Sequence, residues 1–313
     1  MDVTAIEKAR ERIKPYIKRT ALEYSQTLSG YLETNVSVKF ELFQKTGSFK
    51  VRGAFNKLLS LSAEERKRGV VAVSGGNHAQ AVAYASSVLD VDAVILMPRS
   101  TPRNYVEATR DYGAKVDLQP TIAAAFAEIK RFESEGRIFV HPFDDSLVMA
   151  GQGTIGLEIL EDSPETTDIF VSIGGGGLAG GVATAVKAIK PEVRIWGVET
   201  VGANSMAQAL AVGHPVELSA ITSIAKTLGA PSVSLQTLAL AQEHLENVTV
   251  VSDDEAIQAL QFMLERLKVL TEPAASCTLA AAFRLKNQFD KDNNVVLILC
   301  GGNLSLGDLC DYI

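Results

Sequence analysis

The sequence has few of the residues from which zinc sites and disulfide frameworks are built. Only three cysteines and four histidines occur among the 313 residues. The cysteines (Cys277, Cys300 and Cys310) do not pair with the histidines at zinc-ligand spacing, and they do not form a disulfide pattern. Because such free cysteines are typical of a reducing compartment, we expect a cytoplasmic protein without a structural zinc ion.

Long apolar runs and excess positive charge are also missing. No stretch is long enough to span a bilayer, and residues 1–10 form a charged helical pattern without the apolar run of a signal peptide. The formal net charge is -7, and the pI is about 5.3. An acidic chain is unsuited to nucleic acid as its main partner. We therefore expect a small-molecule partner, and neither a nucleic acid nor a membrane.

Strands and helices alternate along most of the chain, and hydrophobic residues make up 47% of it, enough for a sizeable core. Apolar strands are predicted at residues 70–73 and 168–173, for example, with helices following at 77–89 and 178–188. This alternation predicts an α/β fold with parallel sheets. A chain of this length suggests two open parallel-sheet α/β lobes with a cleft between them. The expected division is a large domain of residues 1–66 and 147–313 and a small domain of residues 67–146.

One lysine stands in an unusual position. Alternation over residues 36–42 predicts a strand, and a helix is predicted over residues 48–61. Gly47 permits a sharp turn between them, and Ser48 is a suitable helix cap. Lys50 then falls in the first helical turn, where the helix dipole and partial burial lower the pKa of an amine and make it nucleophilic. The alternative is an ordinary solvated lysine near a helix start.

A glycine-rich turn over residues 172–181 joins a predicted strand to a predicted helix. Its four successive glycines leave backbone amides unshielded at a helix N-terminus, which suits a phosphate group. A dinucleotide is an alternative ligand, since Glu199 lies about 20 residues further on, although the G-x-G-x-x-G spacing is absent. The turn can also be purely structural.

Two further glycine-rich turns follow predicted strands. Residues 74–80 can hold a carboxylate at a helix N-terminus, or they form a plain turn in which Asn77 caps the helix. Residues 299–304 end the last buried strand, where Cys300 is either a thiol facing a ligand or a small buried side chain. Because ligands bind at the carboxyl ends of parallel strands, we expect all three turns to meet at one site.

A reactive lysine, a phosphate cradle and a carboxylate cradle together suit a phosphorylated aldehyde cofactor that handles amino acids. The motifs Ser48-Phe49-Lys50, Ser74-Gly-Gly-Asn-His78, Gly174-Gly-Gly-Gly-Leu178 and Cys300-Gly-Gly-Asn303 resemble those of the fold-type II pyridoxal-phosphate enzymes, which share the tryptophan synthase β-like fold. More narrowly, they resemble the serine/threonine dehydratase and serine racemase group. The C-terminal half is most similar to liver-type serine dehydratase. The resemblance covers nearly the whole chain and keeps the motif order.

The resemblance implies roles for these residues, with the cofactor in the large domain. Lys50 forms the imine with the cofactor aldehyde and later acts as the catalytic base. Phe49 packs against the cofactor ring, Asn77 bonds its phenolic oxygen, Cys300 faces its nitrogen, and Glu272 stands near it. The phosphate is held by the backbone amides of Gly174, Gly175, Gly176, Gly177 and Leu178. The substrate carboxylate is held by Ser74, Gly75, Gly76, Asn77 and His78.

The resemblance also implies a cation site. Its ligands are Glu199, Ala203 and Ser205, with the carbonyls of Leu228 and Ala230. Since a single carboxylate among neutral oxygens suits a singly charged ion, potassium is the first choice and Mg²⁺ the second. Glu199 can alternatively be a plain strand-end carboxylate.

The expected function is that of a dehydratase, also called an ammonia-lyase. It converts L-threonine, L-serine or both to 2-oxobutanoate or pyruvate plus ammonia, in amino-acid catabolism and as a homodimer. The alternatives within the same chemistry are a dehydratase for 3-hydroxyaspartate or phenylserine and a serine racemase. Racemases of this group carry, where this chain has Gly75, a serine that acts as base on the opposite ring face. A non-catalytic amino-acid sensor and a nicotinamide-dependent oxidoreductase are alternatives of other classes.

Overall fold

The computed structural model describes residues 1–312, which form two separate β-sheets surrounded by helices. The strands are β1 (Leu22–Tyr24), β2 (Asn35–Lys39), β3 (Val70–Val73), β4 (Ala93–Pro98), β5 (Lys115–Gln119), β6 (Ile138–Phe139), β7 (Asp168–Ser172), β8 (Arg194–Thr200), β9 (Asn247–Val251) and β10 (Asn294–Ile298).

The larger sheet has the order β1-β2-β10-β7-β8-β9 and the smaller the order β5-β4-β3-β6. Every pairing is parallel except that of β1 with β2, at the edge of the larger sheet. The predicted α/β class with parallel sheets is therefore confirmed. The smaller sheet is built from one continuous stretch of chain, but the domain boundaries given above stay a prediction.

Helices cover both faces of each sheet. Their bounds are α1 (Val3–Ile13), α2 (Gln26–Leu32), α3 (Lys50–Leu59), α4 (Ala63–Arg68), α5 (Asn77–Val88), α6 (Arg103–Asp111), α7 (Ile122–Ala127), α8 (Ile129–Ser134), α9 (Ser146–Asp162), α10 (Gly177–Ile189), α11 (Ser205–Val212), α12 (Leu235–His244), α13 (Asp253–Phe262), α14 (Pro273–Arg284) and α15 (Leu306–Tyr312). In β3, Val70 and Ala72 face one apolar core while Val71 and Val73 face another. None of the helices within residues 1–312 combines the length and the apolar character needed to cross a bilayer.

The helix that carries the lysine begins at Lys50 and not at the predicted Ser48. Ser48 is extended, with φ -162° and ψ 162°, and it forms an isolated antiparallel bridge with Gly301. Its hydroxyl caps nothing, and α3 has no side-chain cap. The predicted cap was wrong because pairing with a distant segment holds Ser48 outside the helix. The preceding strand is also shorter than predicted, since β2 ends at Lys39 and short 3₁₀ turns follow.

A buried cluster of four charges holds the start of α3 in place. Arg52, fully buried, pairs with Glu41 at 2.7 Å and with Glu158 at 2.7 Å. Lys39, also fully buried, reaches the second oxygen of Glu158 at 2.7 Å. Removing one partner would strand a buried charge, which typically costs about 3–5 kcal/mol. The first turn of α3, which carries Lys50, is therefore anchored to β2 and α9.

Candidate active site

The three glycine-rich turns lie where β3, β7 and β10 end, and the segment before Lys50 pairs directly with one of them. The amide of Phe49 donates to the carbonyl of Cys300 at 3.0 Å, and the amide of Gly302 donates to the carbonyl of Gly47 at 3.0 Å. Gly47 has φ +70°, and a side chain on it would come within 2.5 Å of the Asn303 amide. The lysine segment and the turn after β10 thus form one unit.

Lys50 carries a partly buried amine. Its Nζ donates to the carbonyl of Pro142 at 2.7 Å and lies 5.2 Å from the centroid of the Phe49 ring. Burial lowers the pKa of this amine to about 8, although the nearby Glu272 carboxylate acts in the opposite direction. About a tenth of the amine is therefore unprotonated at pH 7, which supplies the form that a nucleophile or base requires.

The turn between β7 and α10 offers free backbone donors in a tight setting. The amides of residues 174–176 donate to no acceptor within residues 1–312. A side chain at Gly175 would lie 2.1 Å from the ring of Phe143, and one at Gly176, where φ is +91°, would lie 2.7 Å from Thr237. Unpaired amides at the start of a long helix fit the phosphate of the expected cofactor.

The turn between β3 and α5 also lies at a helix N-terminus. Gly76 is the N-cap residue of α5, and no side chain caps the helix. Asn77 is thus not the cap, which removes the plain-turn alternative for that side chain. The Ser74 hydroxyl accepts from the amide of Gly76 at 3.1 Å. The first amides of α5 therefore keep the anion-binding character that a substrate carboxylate needs.

Asn77 belongs to a network of buried amides and a carboxylate. Its Nδ2 donates to Oε1 of Glu272 at 2.8 Å, while its Oδ1 accepts from Asn303 at 2.7 Å. Thr227 donates to the same Glu272 oxygen at 2.9 Å. The second N–H of the Asn77 amide remains available for a ligand such as a phenolic oxygen.

Glu272 is buried beside Lys50, and burial raises the pKa of its carboxyl to about 7, against the effect of the bonds from Thr227 and Asn77. Its Oε2 has no partner in the described part of the chain. Lys50 and Glu272 are accordingly two neighbouring groups whose pKa values both lie near neutrality. Paired groups of this kind mark sites of proton transfer.

His78 and Cys300 are neutral neighbours of this pair. Burial lowers the pKa of His78 to about 3, and its Nε2 lies 2.9 Å from the carbonyl of Val140. Burial raises the pKa of Cys300 well above its usual value, and its Sγ lies 3.5 Å from the carbonyl of Ala274 and 4.0 Å from the hydroxyl of Ser172. A neutral thiol is what the implied position beside a ring nitrogen requires.

The residues of the expected cation site are only partly assembled. Glu199 accepts from the amides of Met206 and Ala207 at 2.9 Å and 2.8 Å, and Ser205 has a buried hydroxyl with no partner among residues 1–312. Ala203 closes a turn with Thr200 through its amide at 2.9 Å. No group of three or more histidines, cysteines or carboxylates that could hold a metal occurs in the described chain.

The other two expected ligands, Leu228 and Ala230, lie in a turn of their own. The carbonyl of Leu228 already accepts from the amide of Ala230 at 2.7 Å. The same carbonyl stands 3.1 Å from the point that a side chain at Gly174 would occupy. Leu228 thus contacts the phosphate turn and Ala230. The role of these two residues in a cation site stays a prediction.

Several side chains contribute to the site although no sequence pattern predicts that they lie there. Phe143 packs against the phosphate turn, Thr227 bonds Glu272, and Thr101 stands beside Gly75. Tyr105 donates to the carbonyl of Asn303 from α6, on the side of the smaller sheet. Three of them lie on loops or short turns and Tyr105 lies on α6, and only the tertiary fold brings them to the site.

The similarity to known proteins extends along nearly the whole chain. A family model described as pyridoxal-phosphate dependent enzyme matches residues 13–301. An L-threonine ammonia-lyase from Thermotoga maritima is 41% identical over 304 residues, which is 96% of this chain and 75% of the relative. The processed form of threonine deaminase isoform 2 from Solanum lycopersicum superposes with a TM-score of 0.94 at 34% identity, covering 99% of this chain and 86% of that one. Maize serine racemase superposes with a TM-score of 0.93 at 36% identity, covering 99% and 96%.

Proposed function

Because this chain belongs to the family of pyridoxal-phosphate dependent enzymes, we propose that it is an ammonia-lyase acting on L-threonine and L-serine. The products are 2-oxobutanoate or pyruvate, together with ammonia. The observation that carries the proposal is the amine of Lys50, whose pKa burial lowers to about 8 at the junction of two turns built to bind anions. The named relatives that cover most of the chain support the same class of reaction.

The residues present fit the cofactor. The amides of Gly174, Gly175, Gly176, Gly177 and Leu178 would hold the phosphate. Phe49 would pack against the ring, Asn77 would bond the phenolic oxygen, and Lys50 would carry the covalent link to the aldehyde. When bound, pyridoxal phosphate supplies a conjugated ring that takes up the electron pair left when the Cα–H bond breaks.

The chain's own groups then orient the substrate and move its proton. The amides at the start of α5, with Ser74, hold the substrate carboxylate and so fix the direction of the Cα–H bond. Lys50 takes up the Cα proton at Nζ, which a pKa near neutrality permits. The β-hydroxyl takes up a proton as it leaves, so that the proton removed from Cα at Nζ of Lys50 and the departing hydroxide together make up one water. A later water molecule releases ammonia from the remaining three- or four-carbon unit as a 2-oxo acid is formed.

Serine racemisation is the second candidate, because solved racemases are structurally similar to this chain. Racemisation needs an acid–base group on each face of the substrate. Gly75 supplies no titratable atom on the side opposite Lys50, which favours elimination. A dehydratase for 3-hydroxyaspartate or phenylserine differs only in the β-substituent and uses the same cradles.

We further propose a monovalent cation, potassium, near the start of α11. The supporting observation is the unpartnered buried hydroxyl of Ser205 beside the carboxylate of Glu199. Mg²⁺ is the alternative. Homodimerisation, a cytoplasmic location and a cofactor-binding large domain (residues 1–66 and 147–313) are parts of the same proposal, and size-exclusion chromatography tests the first of them.

The deciding experiment combines chemistry at Lys50 with a substrate panel. Borohydride reduction of the loaded protein should fix the cofactor to Lys50, as peptide mapping will reveal. Lys50→Ala should lower the rate of 2-oxo acid formation from L-threonine and L-serine by about 10³-fold or more, because the covalent link and the base are both lost. Lys67→Ala, at a side chain that is 72% exposed, is the matched control.

Two outcomes would contradict the proposal. The cofactor could map to a different lysine, or the unmutated protein could release ammonia from none of L-threonine, L-serine, 3-hydroxyaspartate and phenylserine. Activity confined to one of the last two would keep the class of reaction and change only the substrate.

A further inference from the structure

Thr101 has a buried hydroxyl that the fold does not use. It follows β4, and its backbone amide closes a turn onto the carbonyl of Pro98 at 2.9 Å. Threonines placed just before a helix commonly accept from its first amides. Here the N-cap residue of α6 is Pro102, with no side-chain cap. The Thr101 Oγ1 has no partner within residues 1–312.

This hydroxyl stands where a side chain on Gly75 would be. A Cβ built on Gly75 would lie 2.6 Å from Oγ1 of Thr101, closer than real contacts of this kind. Gly75 does not have a positive φ, so the contact with Thr101 is the nearest obstacle to a side chain there, and Pro98 follows at 3.4 Å. Gly75 and Thr101 thus form one complementary pair.

The other side of the same turn is also lined by a threonine, but that hydroxyl is occupied. A side chain on Gly76 would meet the methyl group of Thr227 at 3.2 Å, and the Thr227 hydroxyl donates to Glu272 at 2.9 Å. Of the two threonines that flank the turn between β3 and α5, only Thr101 has a hydroxyl left to donate. A buried donor without a partner is a favourable place for an anionic acceptor.

We propose that the Thr101 hydroxyl donates a hydrogen bond to the carboxylate of the bound amino acid. Thr101 thereby joins the amides at the start of α5, from the neighbouring loop, as a substrate-binding residue. This inference rests on the proposed function, since the carboxylate it binds is that of the amino-acid substrate.

The first test compares two variants that separate the hydroxyl from the shape of the side chain. Thr101→Val keeps the shape and removes the donor, while Thr101→Ser keeps the donor. In the cofactor-loaded protein we expect Thr101→Val to raise KM for L-serine and L-threonine by about 10- to 100-fold, as for a lost bond to a charged group, with much less change in kcat. Thr101→Ser should restore KM to near the unmutated value.

The second test varies the ligand instead of the turnover. L-Alanine and L-alaninamide lack a leaving group at Cβ and differ in whether the carboxylate is present. Titration of the cofactor absorbance with each gives a dissociation constant without any reaction. Thr101→Val should weaken L-alanine binding by a similar factor and leave L-alaninamide binding almost unchanged.

The third test concerns the pairing with Gly75. Gly75→Ala alone should weaken L-alanine binding, because its Cβ collides with the Thr101 hydroxyl. Gly75→Ala combined with Thr101→Ala should bind no worse than Thr101→Ala alone, since the collision is gone.

The inference is overturned if Thr101→Val binds L-alanine as the unmutated protein does. It is also overturned if Thr101→Ser is as impaired as Thr101→Val, or if the alanine and alaninamide affinities fall together. An active enzyme with any of these results refutes only the role of Thr101. A loaded protein that releases ammonia from no substrate in the panel refutes the proposed function, and the L-alanine titration still decides the role of Thr101.

Discussion

The turn after β7 and the turn after β3 look alike in sequence but are glycine-rich for different physical reasons. Both follow fully buried strands and both begin a helix. In the first, an added side chain would run into the ring of Phe143 or the side chain of Thr237. In the second, it would meet only side-chain atoms, those of Thr101, Pro98 and Thr227. The first turn is also confined by backbone, at Leu228 and Phe143, whereas the second borders only side chains, which single substitutions can change.

This difference suits the two ligands. A phosphate has the same size and charge whatever the substrate, so a rigid cradle serves it well. The substrate turn instead binds a carboxylate that enters and leaves in every turnover, and its contacts depend on Thr101 and Thr227, which lie on other loops. Binding of the cofactor should accordingly be sensitive to the glycines themselves, and binding of the substrate carboxylate should be sensitive to their neighbours.

The largest effect should come from substitution in the turn after β7. Gly175→Ala places a methyl group 2.1 Å from the Phe143 ring, so either the ring or the amides must move, and we expect cofactor affinity to fall by about 100-fold. Equilibrium dialysis measures it. Gly30→Ala is the control, since a side chain there meets nothing within 4 Å. Unchanged affinity in Gly175→Ala would remove the contrast between the two turns.

Substitution in the turn after β3 should add an activity, whereas substitution in the turn after β7 should only weaken cofactor binding. The unmutated protein should form negligible D-serine, because Lys50 is the only group proposed to move the Cα proton, while the Thr101 hydroxyl is bonded to the substrate carboxylate. Gly75→Ser alone would collide with Thr101, but Gly75→Ser with Thr101→Ala makes room for a hydroxyl on the opposite side, and we expect weak racemase activity. Chiral chromatography of unreacted serine measures it. D-Serine forming as fast as pyruvate in the unmutated protein would contradict this prediction.

The pH dependence of cofactor attachment tests the amine of Lys50 independently of both turns. The unprotonated amine reacts with the aldehyde, and the pKa of Lys50 lies near 8. The attachment rate to apoprotein should therefore rise by about tenfold per pH unit below pH 8 and level off above it. Glu272→Gln removes a neighbouring carboxylate that favours the protonated amine, so it should shift the curve to lower pH. A shift to higher pH would show that the carboxylate acts on Lys50 in another way.

Burial of this amine also makes stability depend on pH. The pKa of Lys50 is depressed in the folded apoprotein relative to the usual 10.5. The protonated amine is therefore less favourable in the folded state than in the unfolded one. This contribution to the free energy of unfolding is fully present above pH 10.5 and decreases as pH falls through about 8.

The smallest effect concerns the expected cation. Potassium should raise the rate of elimination modestly over lithium, and Glu199→Gln should weaken that response, because an amide replaces the only carboxyl group of the expected site. Initial rates in chloride salts at equal ionic strength measure it. Equal rates in the two salts with strong stimulation by magnesium would indicate a divalent site instead.

Local patterns in the sequence predict the elements that depend on local physics. β3 and the start of α5 fall at the predicted residues, because alternation and turn residues act over a few positions. The predictions make no use of the capping box that Ser62 and Glu65 form at the start of α4. They also make no use of the same device that Ser234 and Thr237 form at the start of α12. Capping pairs were thus the signal that was overlooked.

The residues of the site divide in the same way, into those that a contiguous motif predicts and those that only the fold brings to the site. Lys50 and the glycine turns are visible because each motif is contiguous. The causes of their properties are not, since burial by distant segments, and not the helix dipole alone, lowers the pKa of Lys50. Thr101 and Phe143 have no sequence pattern of their own. Only their packing against Gly75 and Gly175 reveals them.

The position of β2 within the larger sheet determines when the site around Lys50 can form during synthesis. β2 lies between β1 and β10, and Lys39, at its end, needs Glu158 as a partner. The segment that carries Lys50 is made long before β10, the strand that lies next to β2 in the sheet. A nascent chain that lacks β10 cannot pair that edge of β2, however much of the smaller sheet has formed. The lysine therefore becomes part of a working site only after β10 has been made, and until then its unburied amine keeps the usual pKa of 10.5 and stays mostly protonated, which makes it a poor nucleophile towards aldehydes.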